Sequence, residues 1–224
     1  MANAATATFS GRSLLWARFR GIGTEGKNIG WGTGGGFTGS ANANVNLFTP
    51  ATEARTAGTS TMISTSFLAD TYQDVGSIVC AGSNKTITEA GLFDTTTLSP
   101  TTTISNSLTT ATTAITIGSG TGLPGSGNYY VQVANETMLV TGGQGSTTLT
   151  VTRAQLGSSA GTQASGTAWT LGGDGGANAN AGVGGQTATV AASAGGNMFA
   201  HADFAGIGLN VNDSISFTWT DQLT

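Results

Sequence analysis

Tyr129-Tyr-Val-Gln-Val133, Thr137-Met-Leu-Val-Thr141 and Thr148-Leu-Thr-Val-Thr152 follow one another with only short breaks between them. Each run is rich in β-branched or aromatic residues and has the length of an ordinary strand, without the apolar spacing of a helix. The breaks, Asn135-Glu136 and Gly142-Gly-Gln-Gly-Ser146, have the composition of turns. Ala114-Ile-Thr-Ile117 before the series and Thr167-Ala-Trp-Thr-Leu171 after it bring the expected strands to five. Short strands at this spacing predict a small sandwich or open barrel. Between Thr101 and Gly173 the only charged residues are Glu136 and Arg153, so this stretch differs in texture from both flanks.

The flanks also read as β. Asn28-Ile-Gly-Trp-Gly-Thr-Gly34 predicts a brief strand. Thr59–Phe67 and Tyr72–Cys80 predict a hairpin turning at Asp70-Thr71, and Thr86–Phe93 a strand stopping at Asp94. Asn197–Phe204 and Ser214–Trp219 alternate as well, with Asn212-Asp213 as the turn before the last strand and Phe217 and Trp219 on one of its faces. Residues 34–46 read as loop, and 174–193 as a Gly/Ala/Asn-rich linker. The one expected helix runs from Ser10, its cap, to Gly21, with Leu15 and Phe19 on one face. The expected fold is therefore all-β: a split β-sandwich host domain (1–99 plus 194–224) with a short N-terminal helix, and an inserted small β-sandwich or barrel module at 100–173.

Composition narrows the function. Charged residues are 8% of the 224, against roughly 25% in ordinary soluble domains, so little of the surface is protected from association. Seven Lys and Arg against eleven Asp and Glu leave a net charge of −4, which argues against nucleic acid as a partner. No stretch approaches the ~20 apolar residues of a membrane span, and no secretory leader is read at the N-terminus. Synthesis in the cytoplasm is expected. Cys80 is alone and reads as a small buried hydrophobe.

Candidate chemistry is sparse. His201 is the only histidine, and Asp203, two residues on, shares its face if the segment is a strand. A histidine at a sheet surface or contact is the favoured reading, and a site on a symmetry axis built from several copies stays open. With one His and one Cys, a structural zinc site within a single chain is excluded, so no catalytic, cofactor or metal residue is assigned. Gly32-Thr-Gly-Gly-Gly36 lacks the Gly-Lys-Ser/Thr ending of a phosphate loop. Asp70 with Asp74, and Asp203 with Asp213, read as turn residues rather than as glycosidase pairs. Trp169, Tyr129 and Tyr130 suit a sugar platform or a core, with the core preferred. Glu89 lies among Ile87, Leu92 and Phe93 and needs a partner; Arg55 is the expected ion-pair partner. Arg12, Trp16, Arg18, Phe19 and Arg20 form the expected assembly contact, through aromatic and arginine anchors.

Ile29-Gly-Trp-Gly-Thr-Gly34, Glu53-Ala-Arg-Thr-Ala-Gly-Thr-Ser60, Asp70-Thr-Tyr-Gln73 and Ile87-Thr-Glu-Ala-Gly-Leu-Phe-Asp94 occur in an order that resembles small virion proteins of tailed bacteriophages, either capsid decoration (cement) or tail-fibre-like proteins. Asn212–Trp219 resembles their closing strand, and the stretch from Tyr129 to Gly157 resembles a recurrent phage β-module. The resemblance implies no active site. It implies a virion structural protein on the outer surface of the capsid, binding the major capsid protein or other virion proteins. Homo-oligomers are expected, trimers at three-fold positions first among them. The alternative it implies is a tail-fibre or baseplate component whose inserted module binds host glycans.

Overall fold

The computed structural model describes residues 6–8, 11–12, 24–35, 43–173 and 195–222. The first strands are β1 (Thr6–Ala7), β2 (Asn28–Gly32), β3 (Thr56–Ala57), β4 (Thr59–Ile63), β5 (Thr71–Val79) and β6 (Lys85–Phe93). Next come β7 (Thr101–Thr103), β8 (Ala114–Thr116), β9 (Tyr129–Val133), β10 (Glu136–Gly142), β11 (Thr148–Thr152) and β12 (Ala168–Leu171). Two long strands, β13 (Met198–Leu209) and β14 (Ser214–Gln222), close the chain. The fold is all-β and sandwich-like.

Three sheets account for these strands: a five-stranded one in the order β1-β13-β6-β2-β3, a three-stranded one in the order β14-β5-β4, and a six-stranded one in the order β7-β12-β9-β10-β11-β8. The first two pack face to face. Ile29, Trp31, Ala90, Leu92 and Ala200 of the five-stranded sheet share a core with Ile78, Cys80 and Trp219. Fully burying a large apolar side chain of this kind contributes about 1.5–3 kcal/mol. Phe217 packs with Trp219 against this core, while Ser216 and Thr218 on the other face are exposed, as the alternation predicts. Cys80 is buried and free, also as expected.

The six-stranded sheet uses no strand from outside residues 101–171 and encloses its own core, which includes Ile115, Tyr129, Val131, Met138, Leu149 and Trp169. Its first and last strands pair antiparallel, with Thr101 opposite Thr170. The chain therefore enters and leaves this sheet at neighbouring points. One expectation fails here: Glu136 is no turn residue but the first residue of β10, fully buried. The turn is Ala134-Asn135, with Ala134 in the left-handed region at φ 50°.

The segment 43–50, whose first residues read from sequence as the end of a loop, is irregular and forms a strap between the sheets. Ala43, Val45, Leu47 and Phe48 are buried. The backbone N–H of Val45 donates to Oε1 of Gln132 at 3.0 Å, Nδ2 of Asn46 donates to the Leu171 carbonyl at 2.9 Å, and Oγ1 of Thr137 donates to the Ala43 carbonyl at 2.6 Å. At the N-terminus Oγ1 of Thr8 accepts the N–H of Gly11 at 2.9 Å, and the Thr8 carbonyl accepts the N–H of Arg12 at 3.1 Å; Ser10, the expected cap, lies outside the described residues. The rest of the expected helix and the 174–193 linker lie outside the described residues.

Candidate functional site

Strand pairing builds the site. In the β6–β13 ladder Glu89 stands opposite Asp203, and His201 opposite Gly91. Residues two apart on a strand share a face, so Glu89, His201 and Asp203 all project from the face turned away from the shared core. Gly91 carries no side chain to block His201. The strap covers this face with Asn44, Leu47 and Phe48, and the Phe48 ring meets the imidazole edge-on at 5.1 Å.

Glu89 is the centre of the arrangement and is fully buried. Its Oε1 accepts the backbone N–H groups of Gly34 at 3.1 Å and Thr49 at 2.8 Å, and its Oε2 accepts that of Phe48 at 2.9 Å. Nε2 of His201 lies 3.1 Å from Oε2 of Glu89 and 3.5 Å from Oδ1 of Asp203. On the other side of the ring, Nδ1 is 2.8 Å from the Asn44 amide. A carboxylate among hydrogen-bond donors and a histidine is far cheaper to bury than a bare one. The nearby glycines make the approach feasible: a Cβ at Gly34 would stand 2.6 Å from Oε1 of Glu89. His201 is thus a buried histidine, 3% exposed, and not the surface residue expected from sequence.

Arg55 and Glu89 do not pair. The Arg55 guanidinium lies 3.4 Å from the centroid of the Phe93 ring and donates to the carbonyls of Gly195 at 2.6 Å and Thr97 at 2.8 Å. Burial weakens its hold on its proton, and the charge of Asp94 opposes that effect. Phe93 ends β6, whereas Glu89 sits at the middle of that strand, roughly 13 Å away along it. Each charge therefore finds closer partners than the other. The acid beside Arg55 in sequence, Glu53, takes Lys85 at 2.6 Å and the Trp31 indole N–H at 3.3 Å. Burial works against its ionisation, but Lys85 and the Ala81 N–H hold its carboxyl below the usual range. A cleft of about 490 Å³ opens beside this group, between Trp31, Pro50, Arg55 and Leu98.

No family model, curated protein or solved structure matches the chain. Its function is therefore argued from its own residues.

Of the expected assembly contact, Arg12 is exposed, whereas Trp16, Arg18, Phe19 and Arg20 lie outside the described residues. Trp169 and Tyr129 are buried in the six-stranded core and offer no sugar platform. Among the described residues no helix is long and apolar enough to cross a membrane. Sequence reasoning missed the exposed hairpin tip between β4 and β5. Phe67 is 75% and Leu68 92% exposed. Asp70 orders this tip by accepting the backbone N–H groups of Thr65 at 2.8 Å, Ser66 at 2.8 Å and Phe67 at 2.9 Å. Burial raises the Asp70 pKa, but these donors and Gln222 outweigh it and hold the carboxyl well below its ordinary range. An aspartate a few residues after two large apolar residues was the available signal.

Proposed function

We propose that the chain is a virion structural protein of a tailed bacteriophage, a capsid decoration (cement) protein that binds the outside of the head shell as a homo-oligomer. In this reading residues 1–99 and 194–224 form the host domain, the N-terminal helix contributes to assembly, and 100–173 is an inserted module. One observation carries it. The phage-like stretches, distant in sequence, lie side by side: Gly30 of β2 pairs with Gly91 of β6, and Ile29 of β2 with Thr56 of β3. The strands of the intervening segment pair only with one another, and Thr101 and Thr170 are neighbours, which is the geometry that tolerates an insertion.

The ordered, exposed Phe67-Leu68 tip supports an assembly role, because well-held apolar anchors serve binding. Binding to the assembled shell alone would stabilise it by mass action. The test is quantitative electrophoresis of purified particles, together with their heat-release temperature with and without this protein. Many copies per particle and a higher release temperature are expected. A few copies per particle, with loss of host adsorption when the protein is absent, would instead make it a tail-fibre or baseplate component that binds host glycans.

A further inference from the structure

The Glu89–His201–Asp203 group has features that a structural ion pair does not need. One ligand atom from each residue lies within 4.8 Å of the other two. The separations of 3.1 and 3.5 Å match the spacing of ligand atoms around one small ion, about 3–3.5 Å for metal–ligand bonds of about 2.0–2.2 Å. Both carboxylates and the imidazole are fixed by strand register, so closing around an ion requires little rearrangement. Two carboxylates and a neutral imidazole carry a charge of −2, which a divalent cation cancels.

A second observation comes from Asn44, which is 1% exposed. Its Oδ1 is buried without a hydrogen-bond partner, while its Nδ2 faces Nδ1 of His201. Amide oxygen and nitrogen are interchangeable by a rotation. Rotating the Asn44 amide sets Oδ1 against Nδ1, where it accepts the ring N–H and ends its own isolation. The imidazole then carries its proton on Nδ1 and presents the Nε2 lone pair toward Glu89 and Asp203. A ligating histidine is characteristically held this way, with its second nitrogen donating to an oxygen acceptor. Oε1 of Glu89 already accepts two backbone donors, but Oε2 accepts one, from Phe48, and retains a lone pair for an ion.

We propose that Glu89, His201 and Asp203 bind one divalent transition-metal ion, of the zinc or manganese type that mixed imidazole–carboxylate sets favour. Asn44 is the residue that orients His201. The ion ties β6 to β13 and, through Asn44, to the strap. The inference is independent of the virion reading. A ligand count limited to His and Cys could not reveal the site, because its other donors are carboxylates brought together by pairing across the sheet.

The test uses the full chain, stripped with EDTA and titrated with ZnCl2, MnCl2 and CaCl2 by calorimetry and thermal melting. One Zn2+ or Mn2+ per chain and a raised melting temperature are expected. Asp203→Asn, at the more exposed ligand, and His201→Gln should each weaken binding at least about tenfold, and Asn44→Leu by about 10–100-fold. Circular dichroism establishes that each variant is folded, and Co2+ absorption reports the ligand field in the wild type. The absence of saturable binding by the wild-type chain overturns the proposal. So does undiminished binding in folded Asp203→Asn and His201→Gln, or a preference for Ca2+ over both transition ions.

Discussion

The five-stranded and six-stranded sheets each bury one glutamate completely, and they neutralise it in different ways. In the six-stranded sheet Glu136 faces Arg153 through two short contacts, Nε to Oε1 at 2.7 Å and Nη2 to Oε2 at 2.6 Å. The N–H groups of Ala154 and Gly161 complete its shell. These are the only two charged residues of the 101–173 segment, so the unit closes its own charge balance. Glu89 in the five-stranded sheet has no such full counter-charge. Its oxygens are held by backbone donors from two loop stretches, with the His201 ring 3.1 Å away. The first arrangement is self-contained, whereas the second depends on the strap staying in place.

The contrast predicts unequal costs. Arg153→Ala leaves Glu136 as a lone buried charge and should destabilise by about 3–5 kcal/mol, measured by urea unfolding. A loss below about 1 kcal/mol, the range of exposed pairs, would remove the contrast. A third completely buried carboxylate, Asp74, extends the comparison, since neither of its oxygens has a hydrogen-bond partner among the described residues. Burial pushes its pKa up to about 6, with Glu25 adding to the effect and Lys27 opposing it. The folded chain therefore holds this proton more tightly than the unfolded chain, so its contribution is complete below the ordinary value of 3.8 and is lost as pH rises through about 6. A displacement from 3.8 to about 6 corresponds to at most about 3 kcal/mol, less whatever solvent screening removes. Relative to Asp74→Asn, the wild-type melting temperature should fall as the pH is raised from about 4 to about 7, and parallel profiles would contradict the assignment.

His201→Ala should cost less than Arg153→Ala, about 1–3 kcal/mol, because Glu89 keeps its backbone donors. Hydrogen exchange should locate the loosening at the strap, around Asn44 to Thr49, and loosening spread over the six-stranded sheet would break the comparison. The smallest effect on stability is expected at the hairpin tip. Phe67→Ser with Leu68→Ser should stay within about 0.5 kcal/mol yet reduce attachment to particles in a sedimentation assay. Unchanged attachment would remove the tip from the assembly surface.

Much of the strand pattern was legible in the sequence. β9 and β11 begin and end where their β-branched runs do, and the β4–β5 hairpin pairs as expected. β1, β3 and β7 are too short, at two or three residues, for a period to register. The shared face of His201 and Asp203 followed from a period of two, but their meeting with Glu89 depended on the register of two strands far apart in the chain. Arg55 was assigned to the nearest acid that lacked a partner. The carbonyls and aromatic ring that it uses instead carry no sequence signature. The strap was unreadable for a related reason, because its Asn and Ala residues have loop composition and are buried only through contacts on both sides.

The strap also determines how force passes through the molecule. A pull on the six-stranded sheet reaches the other sheets through the covalent links at its two ends and through the ties at Ala43, Val45 and Asn46. These ties act in parallel with the chain itself, as stays beside a mast. The same segment holds Asn44 and Phe48 against His201. Strain applied at the six-stranded sheet is thereby shared between the chain and the strap, and the strap carries its part to the Glu89 face.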